Sequence, residues 1–463
     1  MRLRAGLFFV VKNLCCKSAK IVSLLFKRGS YRSGVIKLNG MKTPGRIELM
    51  APAGDFESLQ AAIDAGADSV YFGVEQLNMR ARSTVNFTLD DLGRIVERCS
   101  EKGVRTYLTA NTVIYDHDIA VVRKLMDEAK KAGVTAVIAS DIAAITAARQ
   151  AGMEVHISTQ QNVSNIEAVK FFSQYADTVV LARELSLSQT KDICNAIVEE
   201  GIKGPSGHLM EVEIFGHGAL CMAVSGKCYM SLHAYNSSAN RGACKQNCRK
   251  AYIVTEKETG NQLEIDNEYI MSPKDLCTID FLDKVINAGV SVLKIEGRGR
   301  APEYVHTVVG AYRQAIDSYY DGTYSEEKVA VWLERLSSVY NRGFWEGYYM
   351  GRKMGQWSDN PGSNATQRKV YVGKGLHFYP KASVGEVLIE AAVLEKGDRL
   401  IVTGPTTGVK ELTADAFMVD DMPAEKAVKG DHVTMKLDFR LRPSDKVYKL
   451  EDTEYSQGGG CGC

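Results

Sequence analysis

From Arg46 onward, short apolar runs alternate with longer segments in which apolar positions recur every three or four residues. The runs at 47–50, 69–72, 106–110, 136–139, 154–158, 178–181, 212–215 and 292–295 read as buried strands, because they are short and mostly apolar. Between them, 56–65, 89–99, 119–131, 142–149 and 168–175 carry the helical period. Several of these segments end on glycine just before the next strand, as in DAGADSVYFG, KKAGVTAVIAS and QAGMEVHIS. Glycine takes the left-handed conformation that stops a helix, so the pattern marks repeated strand–helix units. Strands that alternate with helices build a parallel sheet. Eight of them predict an α/β fold, a TIM-like (β/α)8 barrel, over an open doubly wound sheet.

The rhythm breaks once, between the seventh and eighth strands. That gap is about 75 residues, far above an ordinary connection, and it holds five of the eleven cysteines. Loops that follow a barrel strand emerge at the face where barrel active sites lie. Helices are expected at 303–320 and 326–336. Residues 356–367 (QWSDNPGSNATQ) form a polar, turn-rich linker. From 368 to 455 the chain is strand-patterned, with turn signals every eight to twelve residues, which predicts a small β-barrel. The barrel domain, with its Cys-rich insertion before the last strand and its trailing helices, is set at 41–355. Residues 456–463 are a flexible tail that carries Cys461 and Cys463.

Charge adds an asymmetry. The 463 residues carry 57 Lys+Arg and 56 Asp+Glu. Residues 1–40 hold nine of the bases and no acid, leaving 48 bases against 56 acids in the body. A mildly acidic body does not mark a nucleic-acid binder by bulk charge, so RNA contact would need a local basic groove. The basic leader suits a transit segment or a membrane-surface helix, but its apolar pieces are split by lysines, unlike a secretion signal. The reading adopted is that translation starts at Met41 and that the leader is not physiological. No apolar run approaches the roughly 18 residues of a membrane span. A hydrophobic fraction of 45 % excludes disordered, collagen-like and small disulfide-scaffold classes.

Cys221, Cys228, Cys244 and Cys248 follow C-x6-C-x15-C-x3-C in HGALCMAVSGKCYMSLHAYNSSANRGACKQNCRKAY. Thiolates bind soft or borderline metals, so four in one loop suggest a metal site. Zinc ribbons pair their ligands more tightly than x6, whereas iron–sulfur clusters tolerate varied spacing. The competing reading is buried free thiols. Cys277 is a fourth-ligand alternative, and Cys99 and Cys194 belong to helix faces in the core.

EVEIFGHGALCMAVSGKCYMS, ANRGACKQNCRKAY, MSPKDLCTIDFL and LKIEGR, with the opening ELMAPAGDFESLQAAIDAGADSVYFGVEQLNMRA, resemble the collagenase-like peptidase family U32. The resemblance runs from about Glu48 to Tyr320, and the β-rich tail is similar to that family's C-terminal domain. It implies a TIM barrel with a [4Fe–4S] cluster on Cys221, Cys228, Cys244 and Cys248. It also implies oxygen-independent hydroxylation of RNA with prephenate as cosubstrate. The branch most similar in length makes 5-hydroxyuridine at the tRNA wobble position, which implies tRNA as partner, a cytoplasmic setting, an electron-donor protein and no membrane. The family name instead implies peptidase activity, and other branches act on 23S rRNA or in ubiquinone synthesis.

Polar residues at barrel strand ends are site candidates. These are Asn111, His156, Gln160, Arg183, His217, Lys294, Glu296 and Arg298. Of these, the resemblance and the strand-end rule favour Lys294, Glu296, Arg298, His217 and Arg183 as catalytic. Lys294 and Glu296 share one side of the strand and would form a pair at the barrel mouth that holds an anion or moves a proton. Arg298 would grip a carboxylate or phosphate. The bland alternative is an internal salt bridge that closes the barrel. Lys369, Lys374, Lys410, Arg440 and Arg442 in the tail domain would meet an RNA backbone or form a solvated face. No G-x-S-x-G or H-E-x-x-H motif supports a peptidase. A zinc-stabilised RNA-binding protein without catalysis is the third reading.

Overall fold

The computed structural model describes residues 45–453, leaving aside 76, 82–85, 251–253, 261, 264–270, 352–354 and 359–361. The basic leader, the tail with Cys461 and Cys463, and part of the expected linker lie outside the described residues. Eight strands run in parallel: β1 (Glu48–Pro52), β2 (Ser69–Gly73), β3 (Arg105–Ala110), β4 (Ala136–Ala139), β5 (Glu154–Ile157), β6 (Thr178–Val180), β7 (Glu211–Gly218) and β8 (Val292–Ile295). Each pairs with its successor up to β7, and β8 pairs with both β7 and β1. The sheet is therefore a closed, TIM-like barrel, as the alternation predicts.

Local chemistry sets where the helices begin and end. Helix α1 (Phe56–Asp64) starts where Asp55 accepts a hydrogen bond from the Ser58 amide at 2.7 Å. Helices α2 (Leu92–Ser100), α3 (Ile119–Ala132), α4 (Ile142–Gln150), α5 (Ile166–Phe172) and α6 (Leu187–Glu200) follow their strands. Helix α3 stops at Gly133, whose φ of +83° an L side chain rarely adopts. Cys99 and Cys194 are buried on α2 and α6, and burial pushes both thiols up to about 12. Helix α7 (Leu282–Asn287) leads into β8, and α8 (Pro302–Tyr320) and α9 (Glu326–Ser338) close the domain. Among the described residues no helix is long and apolar enough to cross a membrane.

Two features position the site. The insertion between β7 and β8 returns as a short strand, Asp275–Cys277, antiparallel to the end of β7 and placing Cys277 opposite His217. The β7–β8 register then shifts between Lys294 and Ile295, so that Ile295 pairs with His217 and Gly216 is the extra residue. A bulge of this kind bends the strand and re-aims the side chains beyond it. A Cβ at Gly216 would lie 2.6 Å from Leu293 Cδ1, so any larger residue there would have to push the buried Leu293 side chain aside.

The tail is an eight-stranded antiparallel sheet. Its spatial order is Gly408–Thr413, Arg399–Gly404, Lys446–Asp452, Gln367–Tyr379, Val384–Ile389, His432–Lys436, Phe417–Val419 and Met422–Ala424. Val372, Val387, Leu400, Val433 and Val447 form its own core. Ile401 and Val409 instead join the main core, with Tyr448 and Leu450 packed against it, so one face of the sheet docks on the barrel. Lys369 pairs with Glu303 at 3.0 Å, Lys410 with Asp64 at 3.5 Å and Lys374 with Glu390 at 2.7 Å. Arg442 donates to Thr407 at 2.9 Å. Four of the tail's five expected RNA-facing bases, Lys369, Lys374, Lys410 and Arg442, are thus engaged within the molecule.

Truncating Ile401 removes apolar contact from this docking face. Ile401→Ala is expected to cost about 2–5 kcal/mol, the usual range for such a buried truncation. Calorimetry checks this, and a loss below about 0.5 kcal/mol would mean the sheet does not lean on the barrel through this residue.

Candidate active site

The barrel interior is unusual in its charge. Most such barrels are filled by branched apolar side chains. Here Met50, Tyr71, Tyr107, Ile138 and Val292 share the interior with Glu48, His156, Glu213 and Lys294, all buried. Lys294 Nζ donates to Glu213 Oε1 at 2.7 Å. Glu213 Oε2 faces His156 Nδ1 at 3.5 Å, and His156 Nε2 reaches Glu154 Oε1 at 3.3 Å. Burial opposes the imidazolium, yet Glu154 and Glu213 outweigh it and raise His156 to about 9. Burial likewise opposes the Glu213 carboxylate, and Lys294 and His156 outweigh it and hold it low.

The expected Lys294–Glu296 pair is not formed. Alternate residues on a strand share a face but stand roughly 6–7 Å apart, so each finds a partner elsewhere. Lys294 reaches Glu213 on β7, and Glu296 accepts from Arg80 at 2.9 Å in the loop after β2. Lys294 is therefore held in an internal salt bridge, with Glu213 and not with Glu296, while still lining the cavity. Glu296 is buried, but Arg80, Arg183 and Arg298 outweigh the burial and hold it down at about 2.

Above this layer lies a cavity of about 430 Å³ at the barrel mouth. It brings together Asn111, Gln160, Arg183, Lys294, Glu296, Arg298 and the four cysteines Cys221, Cys228, Cys244 and Cys248. Arg80, Arg249, Arg300 and Arg342 also line it, whereas Glu296 is the one acidic residue in its wall among the described residues. Arg298 is buried and donates to Asn78 Oδ1 at 3.0 Å and Thr109 Oγ1 at 2.8 Å. Among the described residues Arg183, Arg298 and Arg300 have no carboxylate within ion-pair distance. Arg183 lies 3.8 Å over the Phe215 ring and its buried Nε has no hydrogen-bond partner, while Arg300 lies 3.5 Å over the Tyr340 ring. Glycine makes room for Arg298: a Cβ at Gly73 would come within 2.7 Å of its Nη1, and one at Gly54 within 2.1 Å of its carbonyl oxygen.

The four thiols are in no disulfide; burial raises the Cys248 thiol, Arg249 opposes the rise, and Cys221, Cys244 and Cys228 add to it. Among the described residues no three His, Cys, Asp or Glu side chains are drawn into a closed metal cage. The donor chemistry, four thiols around one cavity, fits a thiolate-held cluster. Cys277 does not join them. It is buried beside Tyr312, with its sulfur 3.8 Å from the hydroxyl, and does not line the cavity. His217 also lies outside the cavity wall: the bulge turns it behind the strand among Tyr304, Tyr312 and Phe344. Its Nδ1 is 3.4 Å from Tyr312 Oη, and burial lowers it to about 3. His156 belongs to the barrel interior below the cavity. Sequence reasoning did not find Arg80, Asn78 and Arg300, which sit on loops without periodic signal. Glu213 had a signal, a carboxylate inside an apolar strand.

Residues 54–359 match the model of peptidase family U32. A collagenase of Porphyromonas gingivalis is 54% identical over 408 residues, covering 88% of this chain and 99% of that protein. An uncharacterized protease of Methanocaldococcus jannaschii is 36% identical over 412 residues, covering 88% and 99%. The tRNA hydroxylation protein P1 of Bacillus subtilis is 31% identical over 414 residues, covering 87% and 94%.

Two outcomes are expected. In Gly73→Ala the new methyl displaces Arg298, so affinity for a small dicarboxylate should fall about 10- to 100-fold, the worth of a charged hydrogen bond; calorimetric titration checks it, and unchanged affinity would remove Arg298 from the anion site. The second concerns stability against pH. His156 is raised above its ordinary 6.5 to about 9. Its contribution is therefore fully present below about pH 6.5 and lost as pH rises through about 9, on the order of 3 kcal/mol. Denaturant unfolding across that window should show the loss in the native chain and not in His156→Gln; parallel curves would refute the charged imidazole.

Proposed function

The chain belongs to peptidase family U32, and on that premise we propose that it is an RNA-modifying hydroxylase. The proposed reaction places a hydroxyl on C5 of the wobble uridine of tRNA, without molecular oxygen and with an anionic cosubstrate such as prephenate. The observation that carries this reading is one cavity whose wall holds four thiols and an excess of arginine. Cys221, Cys228, Cys244 and Cys248 would hold a [4Fe–4S] cluster. Such a cluster supplies one-electron chemistry that side chains lack. Arg298, fixed by Asn78 and Thr109, and Arg183, with a free buried Nε, bind the carboxylates of the cosubstrate. Glu296 stays ionised and orients Arg80 at the rim. Lys294, anchored by Glu213, presents its ammonium to the cavity floor, where it donates to an anionic group on the base or the cosubstrate. A base from a single-stranded anticodon loop enters such a pocket without leaving a duplex. That substrate sets the reaction in the cytoplasm, with an electron-donor protein as the remaining partner.

The names of the more similar relatives favour a peptidase, and among the described residues the Cys–His pair brought together by the fold is Cys277 with His217. Cys277 and His217 are cross-strand neighbours. Burial pushes the thiol up to about 12 and the imidazole down to about 3. At neutral pH the pair is thiol and neutral imidazole, walled off from the cavity, whereas a nucleophilic dyad needs thiolate character and access.

The test is nucleoside mass spectrometry of tRNA from a deletion strain, with iron and acid-labile sulfide measured on anaerobically purified protein. The expected result is loss of 5-hydroxyuridine, restored by the native chain and not by Cys244→Ser, with about four irons and four sulfides per chain. Full 5-hydroxyuridine in the deletion strain overturns the reading. One zinc and no colour would leave a structural site, and collagen cleavage by metal-free homogeneous protein would return the peptidase.

A further inference from the structure

The insertion that carries the thiols has a surface of its own. Residues 214–255 contain no aspartate or glutamate, where the chain's average density would place about five. The same stretch holds Lys227, Arg241, Lys245, Arg249 and Lys250. Lys227, Lys245 and Lys250 are exposed. Within it Met222, Val224, Tyr229, Leu232 and Tyr235 are also exposed, Tyr229 at 71% and Tyr235 at 51%. Large apolar side chains clustered in solvent mark an interaction surface. Lys250 Nζ donates to Tyr235 Oη at 2.7 Å and lies 5.1 Å from the ring centre, which orients one tyrosine beside a fixed positive charge. The surface is continuous with the cavity, because Met222, Val224, Cys228 and Cys244 belong to the cavity wall.

We propose that the exposed side of this acid-free stretch, with Tyr229 and Tyr235 beside Lys227, Lys245 and Lys250 and with Arg241 already paired to Asp118 at 2.7 Å, is the docking surface for a single-stranded segment of RNA. The proposal rests on the RNA-modifying reading above and says where the strand lies. Exposed aromatic rings beside ammonium groups suit a polymer that offers flat bases and a phosphate at every step. Unpaired bases expose the faces that stack, so a loop is favoured over a duplex. A strand lying across these tyrosines is next to the cavity rim, where one of its bases can enter. In the tail domain Lys369, Lys374 and Lys410 are instead paired with carboxylates of the tail or the barrel. The competing occupant of a basic, acid-free face is an acidic protein.

The test uses the anaerobically purified, iron-loaded chain and fluorescence anisotropy with a short RNA stem-loop, a blunt duplex of the same length and a labelled polyglutamate. Tyr235→Ala and Tyr229→Ala are each expected to weaken stem-loop binding about 5-fold or more, and Tyr229→Phe to keep it within about twofold. Lys245→Glu with Lys250→Glu should weaken it about tenfold or more at low salt and flatten the dependence of log Kd on log salt by roughly 1.4. Iron content and melting temperature are measured for each variant. Tyr235→Ala carries the stacking test if Tyr229→Ala loses iron, because Tyr235 stands farther along the chain from the thiols. The proposal is overturned if the stem-loop binds every iron-loaded variant as it binds the native chain, or if the duplex binds as tightly as the loop. It is also overturned if polyglutamate competes better than RNA, which would assign the face to an acidic protein. Loop binding that depends on these residues, with no 5-hydroxyuridine ever formed, keeps the docking surface and removes the hydroxylase. Wild-type 5-hydroxyuridine formation in all the variants keeps the hydroxylase and removes the docking surface.

Discussion

The ion pair between Lys294 and Glu213 is the interaction on which the site depends. It lies where β8 closes the barrel between β7 and β1. Two charges taken from water cost several kcal/mol each unless their partners are in place. Lys294 must therefore face inward, toward Glu213, with His156 supplying a second positive neighbour. A strand with one inward residue fixed has every other residue fixed. Ile295 then packs into the outer core and Glu296 returns to the inner side at the mouth, where Arg80 meets it. A slip of one residue would bury Lys294 among the apolar helices, an error far costlier than a misplaced apolar side chain.

The bulge at Gly216 explains why His217, at the end of a barrel strand, stands outside the cavity wall that Arg183 helps to line. Without it, the strand would carry His217 forward to the cavity, as the HGALC segment suggests. With it, His217 is swung behind the sheet into an aromatic box and deprived of water, and its imidazole becomes neutral packing. The Asp275–Cys277 strand brings the insertion back beside it and also takes Cys277 out of the thiol set. One extra residue thus decides which polar groups are chemistry and which are scaffold.

The barrel was legible in the sequence because its signals are local. Apolar runs bounded by Gly133 or Gly152, and the parity of VLKI against VEIF, need no knowledge of the rest of the chain. Partners were not legible. That Lys294 finds Glu213 and not Glu296 depends on the β7–β8 register, which the bulge sets. That Arg298 lies against Asn78 and Thr109 depends on loop paths and on two glycines that leave room for it. The four cysteines stood out by spacing, and in the structure all four line the one cavity. The acid-free stretch around them was just as visible in the sequence, but whole-chain charge hid it.

The tail domain acquires a mechanical role from its contacts. Its sheet packs through Ile401, Val409, Tyr448 and Leu450 onto the main core, and Lys369 pairs with Glu303 in the first turn of α8. That helix begins at Pro302, immediately after the segment that carries Arg298 and Arg300. A short segment whose two ends are held by β8 and by a docked helix has little freedom, and a guanidinium placed in a cavity is only as well aimed as the backbone behind it. Arg300 is further restrained by stacking on Tyr340, in the chain that runs on from α9 toward the tail. By bracing α8 the β-rich domain holds the loop that carries Arg298 and Arg300 at the wall of the cavity the four cysteines also line, a role that requires no contact between the tail and any ligand.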